Sequence, residues 1–300
     1  MAEQPSLLIV GHGSRSAAGV AEYWDLAKAV ADAAPELDVG CGFIELAAPD
    51  LDAAVDRLVD RGARSVVAVP LVLLGAGHMK DDGPAALHRG RHRHPAVRFA
   101  YGRHLAIHPL VLAVAEDRIR AAIGDADPAE TAVVLVSRGS SDPDANADLY
   151  KVARLLWDSR GLAMVEPAFV SLAQPSVPAA LERCRLLGAI RVVVAPYFLF
   201  TGILVDRIND QVAEWGRSHP EVDARPGPHL GADPRVAELI LARYREALAG
   251  DAHMNCDLCV YRHPLPGYEH KHQHDHLPDQ PPDHPKPEEV IHIGNHHSST

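Results

Sequence analysis

The chain states nearly the same sequence twice. Residues 10–15 read VGHGSR and residues 136–141 read VSRGSS; residues 45–50 read ELAAPD and residues 171–176 read SLAQPS. Pro70 opens PLVLLGAGHMKD, and Pro196 opens PYFLFTGILVDR. Each pair lies 126 positions apart, and one constant offset through three separate landmarks means an internally duplicated domain. The first copy has His12, Glu45 and His78 where the second has Arg138, Ser171 and Leu204. What the copies share reports the fold, and where they differ reports the chemistry.

Within the first copy, apolar runs alternate with helical spacing. Leu7–Val10 reads as a strand ending in the turn Gly11–Gly13, and Ser16–Ala34 as a helix stopped by Pro35. Val39–Leu46 reads as a second strand, with Pro49 in the first turn of a helix running on through Leu51–Arg61. Ser65–Leu74 is nearly continuous in Val and Leu, as a strand buried on both faces should be, and Gly75–Gly77 breaks it. A strand near Val97–Tyr101 and a helix after Pro109 complete the unit. The second copy repeats this course from Ala132 to about Ala249, across a linker at Gly124–Glu130. Alternation of this kind predicts an α/β fold of two tandem domains, residues 1–124 and 131–250, each a parallel, doubly wound sheet.

After Gly250 the character changes. Residues 251–300 hold ten of the nineteen histidines and seven prolines, with almost no apolar periodicity. Such a segment buries too little surface to offset the entropy of ordering, so a disordered His/Pro-rich metal-binding tail is expected. The net charge of −11 argues against nucleic acid or an anionic membrane as partner. No window approaches the roughly 18 uninterrupted apolar residues of a membrane span. The N-terminus lacks the basic-then-apolar pattern of a secretory leader, so a cytoplasmic location is expected. Four cysteines are too few for a disulfide scaffold. Cys41, in a predicted strand, and Cys184, in a helical stretch, read as buried small hydrophobes.

His12, Glu45 and His78 each fall at or just beyond the end of a predicted strand. In a parallel sheet the carboxyl ends of the strands form the ligand crevice, so three residues distant in sequence can converge there. Two imidazoles and a carboxylate suit Fe(II), Co(II), Ni(II) or Zn(II), with open positions left over. Other readings of the same residues stand beside this one. VGHGSR could bind an anion at a helix start, and it is similar to the Arg-His-Gly element of histidine phosphatases, although Val10-Gly11 stands where the arginine belongs. Glu45 could simply cap the next helix.

Taken in order and spacing, VGHGSR, ELAAPD and PLVLLGAGHMKDD resemble the sirohydrochlorin chelatase family, from residue 7 to about 249. The resemblance implies two similar α/β domains facing one another across a cleft, and ATP-independent insertion of a divalent metal into a tetrapyrrole. It places metal handling on His12, Glu45 and His78. Neutral imidazoles at positions 12 and 78 would act both as ligands and as acceptors of the pyrrole protons. A polycarboxylate such as sirohydrochlorin needs cations in the cleft, and Arg15 and Arg138 are the candidates, with Lys80 a weaker one. The long cobaltochelatases carry a His-rich tail and an M-x-C-x-x-C element, matched here by Met254–Cys259. That resemblance favours Co²⁺, with siroheme iron insertion as the alternative; Ni²⁺ is not separated from these by ligand type.

Cys256 and Cys259 supply two thiolates, whereas an iron–sulfur cluster takes four. The rest could come from a second subunit, joining a homodimer through the tail, from a tail histidine, or from nowhere. His253, Cys256, Cys259 and His263 also make a tetrahedral zinc set, while the family resemblance favours iron–sulfur. A non-catalytic metal-delivery protein acting through the tail is a competing reading, as is a phosphate-handling enzyme using VGHGSR.

Overall fold

The computed structural model describes residues 4–158 and 160–253. The readings made on Cys256, Cys259, His263 and the histidines beyond them lie outside the described residues. Eight described strands form two parallel four-stranded sheets. In the first, β1 (Ser6–Gly11), β2 (Val39–Phe43), β3 (Ser65–Pro70) and β4 (Arg98–Tyr101) lie in the order β2-β1-β3-β4. In the second, β5 (Ala132–Ser137), β6 (Met164–Phe169), β7 (Arg191–Pro196) and β8 (Asp223–Pro226) lie in the order β6-β5-β7-β8. The central strand is registered alike in both, Leu7 opposite Val39 and Val67 in one and Val133 opposite Val165 and Val193 in the other.

Successive residues of a strand point to opposite faces, and each face here has its own helices. Leu8 and Val10 face outward onto α2 (Leu51–Asp60) and α3 (Gly83–Arg93) through Val55, Leu58 and Leu87. Val134 and Val136 face outward onto α6 (Val177–Leu186) and α7 (Ile203–Ser218) through Leu181, Ile208 and Val212. Leu7, Ile9, Val133 and Leu135 turn inward and share a single apolar core. That core is filled by α1 (Ala17–Ala33), α4 (Pro109–Ile123), α5 (Pro143–Trp157) and α8 (Pro234–Ala249). The molecule is thus helix–sheet–helix–sheet–helix, with one continuous middle layer.

The two copies exchange their last helices across that layer. α4 packs on β7, while α8 packs on α1, β3 and β4. Two arginines secure the exchange reciprocally. Arg118 of α4 donates to the Leu230 carbonyl through Nε and Nη2 at 3.0 and 2.9 Å. Arg243 of α8, 2% exposed, donates to the Leu105 carbonyl at 2.6 Å. The pairs Leu105/Leu230, Pro109/Pro234 and Arg118/Arg243 are each 125 apart, one fewer than the earlier landmarks. The second copy is therefore one residue shorter ahead of this segment, and the reciprocal contact survives the deletion.

Helix starts follow ordinary capping chemistry. Ser16 accepts from the Gly19 N–H, and Asp50 from the Ala53 N–H at 2.7 Å. The Asp50 cap corrects the placement of Pro49, which precedes the helix in a cis Ala48–Pro49 bond. β2 and β3 also end sooner than their apolar runs suggested. Leu71 and Leu73 stay buried beyond the strand end at Pro70, because burial, not strand pairing, is what an apolar run reports. α3 went unread in the sequence, its polar, His- and Arg-rich stretch carrying little apolar signal. Cys184 is fully buried but Cys41 only half so, and burial pushes their thiols up to about 12 and about 11. No helix among the described residues is long and apolar enough to cross a membrane.

Candidate metal centre

β1 ends at Gly11, and the chain beyond β2 keeps company with it: Ile44 N–H donates to the Gly11 carbonyl at 2.9 Å and Glu45 N–H to the His12 carbonyl at 3.0 Å. This two-residue extension sets Glu45 beside His12. Gly13 makes the approach feasible. Its φ is +99°, and a Cβ there would lie 1.7 Å from the Glu45 carbonyl oxygen, so only glycine fits. From β3 the chain crosses the same rim and enters a π-helical turn, His78–Asp82, which opens with the second imidazole.

The three side chains meet. His12 Nε2 is 3.6 Å and His78 Nε2 is 3.9 Å from Glu45 Oε1, and the two rings stand edge to face with centroids 4.3 Å apart. The donor atoms all lie within 4.8 Å of one another. An ion bound at about 2.0–2.2 Å holds neighbouring donors roughly 3–3.5 Å apart, so small side-chain adjustments close the site. The side chains are 32%, 34% and 24% exposed, which leaves the outer coordination positions open to a ligand from solvent.

Asp82, absent from the sequence reading, completes the arrangement. Its carboxylate, 8% exposed, lies 2.6 Å from His78 Nδ1. A carboxylate on Nδ1 takes the N–H there and leaves the Nε2 lone pair for a metal. The signal was present in the sequence as His78-x₃-Asp82, but it acquires meaning only once a helical turn is known. Tyr101 supports the turn by donating to the Met79 carbonyl at 3.0 Å.

Burial, then the neighbouring His78, lowers the pKa of His12 to about 4, against a smaller opposing pull from Glu45. At neutral pH that ring is uncharged and its lone pair is available. Arg138, from the second copy, reaches across with Nη1 3.3 Å from His12 Nε2. Both copies therefore contribute to one rim. Arg15 is exposed near it and makes no ion pair among the described residues.

Lys80 belongs elsewhere. It is 10% exposed and clamped to Asp142 Oδ2 at 2.7 Å and Asp144 Oδ2 at 3.0 Å, at the start of α5. Burial opposes its charge, yet the two carboxylates prevail and its pKa is raised. It is a strut between the copies and not a free cation in the cleft. A matching contact runs the other way, where Glu22 of α1 accepts from the Thr201 N–H at 2.7 Å and lies 3.0 Å from His229 Nε2. A surface concavity of about 850 Å³ lies away from this site, between Ile190, Val212 and Glu221.

Known proteins share this doubled fold. The CbiX family model matches residues 6–122 and again residues 132–247. A sirohydrochlorin cobaltochelatase from Priestia megaterium is 38% identical over 260 residues, 86% of this chain and 84% of that protein. A sirohydrochlorin ferrochelatase from Bacillus subtilis is 33% identical over 81% of this chain and 92% of its own. Among solved structures, SirB from Bacillus subtilis with Fe³⁺ superposes with a TM-score of 0.74 at 29% identity, covering 84% of this chain and all of that one. SirB from Bacillus subtilis subspecies spizizenii in complex with cobalt gives 0.69 at 28% identity, covering 83% of this chain and 97% of its own. Two tandem matches to one model, on a doubly wound fold with a His–Glu–His rim, lead to one conclusion: this chain belongs to the CbiX family.

Proposed function

We propose that this chain inserts a divalent metal, Co²⁺ foremost, into sirohydrochlorin, with His12, Glu45 and His78 as the residues that hold the ion. The observation that carries this reading is the convergence of their donor atoms within 4.8 Å on an open rim. Both metals named for the relatives, cobalt and iron, suit an imidazole–carboxylate set, and the 38% identity to a cobaltochelatase favours cobalt.

Insertion exchanges one M²⁺ for two pyrrole protons, so charge is conserved if the residues that release the ion take up the protons. His12 and His78 have their Nε2 lone pairs freed as the ion leaves for the macrocycle. His12, with its lowered pKa, suits the role of ligand and passes a proton on readily. His78 has the Asp82 carboxylate at 2.6 Å to balance a charge on its ring, which fits it to take the proton. Glu45 supplies one negative charge to the bound dication.

Arg138 and Arg15 serve the acidic periphery of the tetrapyrrole. A guanidinium grips carboxylates through parallel N–H donors. Arg138 competes for the same lone pair as the metal, so metal loading turns its guanidinium away from His12 and toward the substrate. The functional division is a metal-bearing repeat at 1–124, a repeat at 131–250 that lacks the ligands, and a metal-binding tail at 251–300. On the sequence, Cys256 and Cys259 hold an iron–sulfur cluster, or zinc with His253 and His263. A shared cluster would make a homodimer through the tail. The protein would work in the cytoplasm.

The test is purified protein with sirohydrochlorin and Co²⁺, Fe²⁺ or Ni²⁺ in turn, followed by absorbance. Insertion should be fastest with Co²⁺. Failure with all three metals would refute the reading.

A further inference from the structure

Away from the triad, α3 carries a second pair of imidazoles. His88 and His92 are four residues apart, so both rings stand on one face of the helix. Their Nε2 atoms are 3.0 Å apart, with ring centroids at 4.6 Å and planes at 78°. His88 is half-buried and His92 exposed, so the shared nitrogens face solvent. With metal–nitrogen bonds of about 2.0–2.1 Å, two adjacent ligands of an octahedral ion stand about 2.9 Å apart, and those of a tetrahedral ion about 3.3 Å. The rings are already at that spacing.

The surrounding charges do not block an ion. Arg89 is paired with Asp52 at 3.1 Å, Arg93 with Asp52 and Asp56 at 3.0 and 3.2 Å, and Arg91 donates to the Phe99 carbonyl at 3.0 Å. Each guanidinium is thereby drawn toward α2 or β4. His94 is held by Asp56 at 2.7 Å and belongs to that network. At about 1.5 Å per residue along a helix, His88 is about 15 Å from His78, so the pair cannot share the triad's ion.

We infer that His88 and His92 form a second, surface site for one divalent transition-metal ion of the imidazole-preferring class (Co²⁺, Ni²⁺, Cu²⁺ or Zn²⁺), completed by water. The site shares no residue with the proposed reaction centre, so either can fail without the other. Equilibrium dialysis of the full chain against Ni²⁺ at neutral pH counts bound ions. A His88→Ala/His92→Ala variant with an unchanged circular dichroism spectrum should bind one ion fewer than the native chain. The tail and the triad are present in both proteins and cancel from the difference. His92→Ala alone should weaken that ion at least tenfold, since the pair acts as a chelate. An unchanged count in the double variant, or full retention in the single one, overturns the site.

Discussion

Laid over one another, the loops beyond the central strands of the two copies share a backbone and differ in chemistry. Gly13 and Gly139 both have positive φ, at +99° and +82°. Glu45 N–H donates to the His12 carbonyl at 3.0 Å, and Ser171 N–H to the Arg138 carbonyl at 3.2 Å. Asp50 and Ser176 cap equivalent helices. On this common frame the first copy mounts two imidazoles and a carboxylate, and the second a guanidinium, a hydroxyl and an isobutyl group. The contrast continues behind the site. Asp82, which holds His78, corresponds to Ile208, fully buried under the second sheet. One copy uses this position to hold an imidazole and the other to fill its core. A doubled chain can divide labour because its frame does not depend on what the loops carry.

The comparison can be broken at its joints, the strongest first. Lys80→Ala removes the cation that bridges the buried Asp142 and Asp144 carboxylates. Breaking such a pair costs about 3–5 kcal/mol, which urea denaturation would read as a large fall in the midpoint. A loss below about 1 kcal/mol would mean that this strut adds little to holding the copies together. Asp82→Asn keeps the shape but removes the charge behind His78. Ligand-orienting groups of this kind are worth about 10–100-fold in metal affinity, which competition with a chromophoric chelator would measure. Unaltered affinity would reduce Asp82 to a structural part of the turn. Arg138→Ala should raise KM for sirohydrochlorin about tenfold, as for loss of one charge-assisted hydrogen bond of roughly 1.4 kcal/mol. Because Arg138 donates to the His12 lone pair, Co²⁺ affinity without tetrapyrrole should hold or rise. A fall in that affinity would make Arg138 part of the metal site and erase the proposed division.

The strand–helix alternation and the meeting of His12, Glu45 and His78 were legible because each rests on local pattern or on a repeated offset. Leu7–Val10 is apolar at every position because both faces are covered, and the shared offset identified which loop residues differ between copies. What escaped depends on distant partners. Nothing in α4 or α8 alone says which sheet will receive it, since an apolar face fits either. The drop in offset from 126 to 125 by Leu105/Leu230 marks the segment involved without revealing the exchange. Lys80 reads as a free cation next to a ligand until Asp142 and Asp144 arrive from 62 and 64 residues away. Asp82 was hidden by the Gly-rich approach to His78, which suggested a loop where a π-helical turn stands.

The proposed asymmetry is that one copy binds the ion and the other shapes the opening. It is tested most directly by the initial rate of Co²⁺ insertion into sirohydrochlorin for alanine variants at matched positions. His12→Ala, Glu45→Ala and His78→Ala should each lower the rate at least 100-fold, with His78→Ala abolishing it, in folded protein. Ser171→Ala and Leu204→Ala should stay within about twofold of the native chain, because the clustered donor set is His12, Glu45 and His78 and includes neither residue. Near-native insertion by His78→Ala, or equal damage from the second-copy variants, would contradict the account.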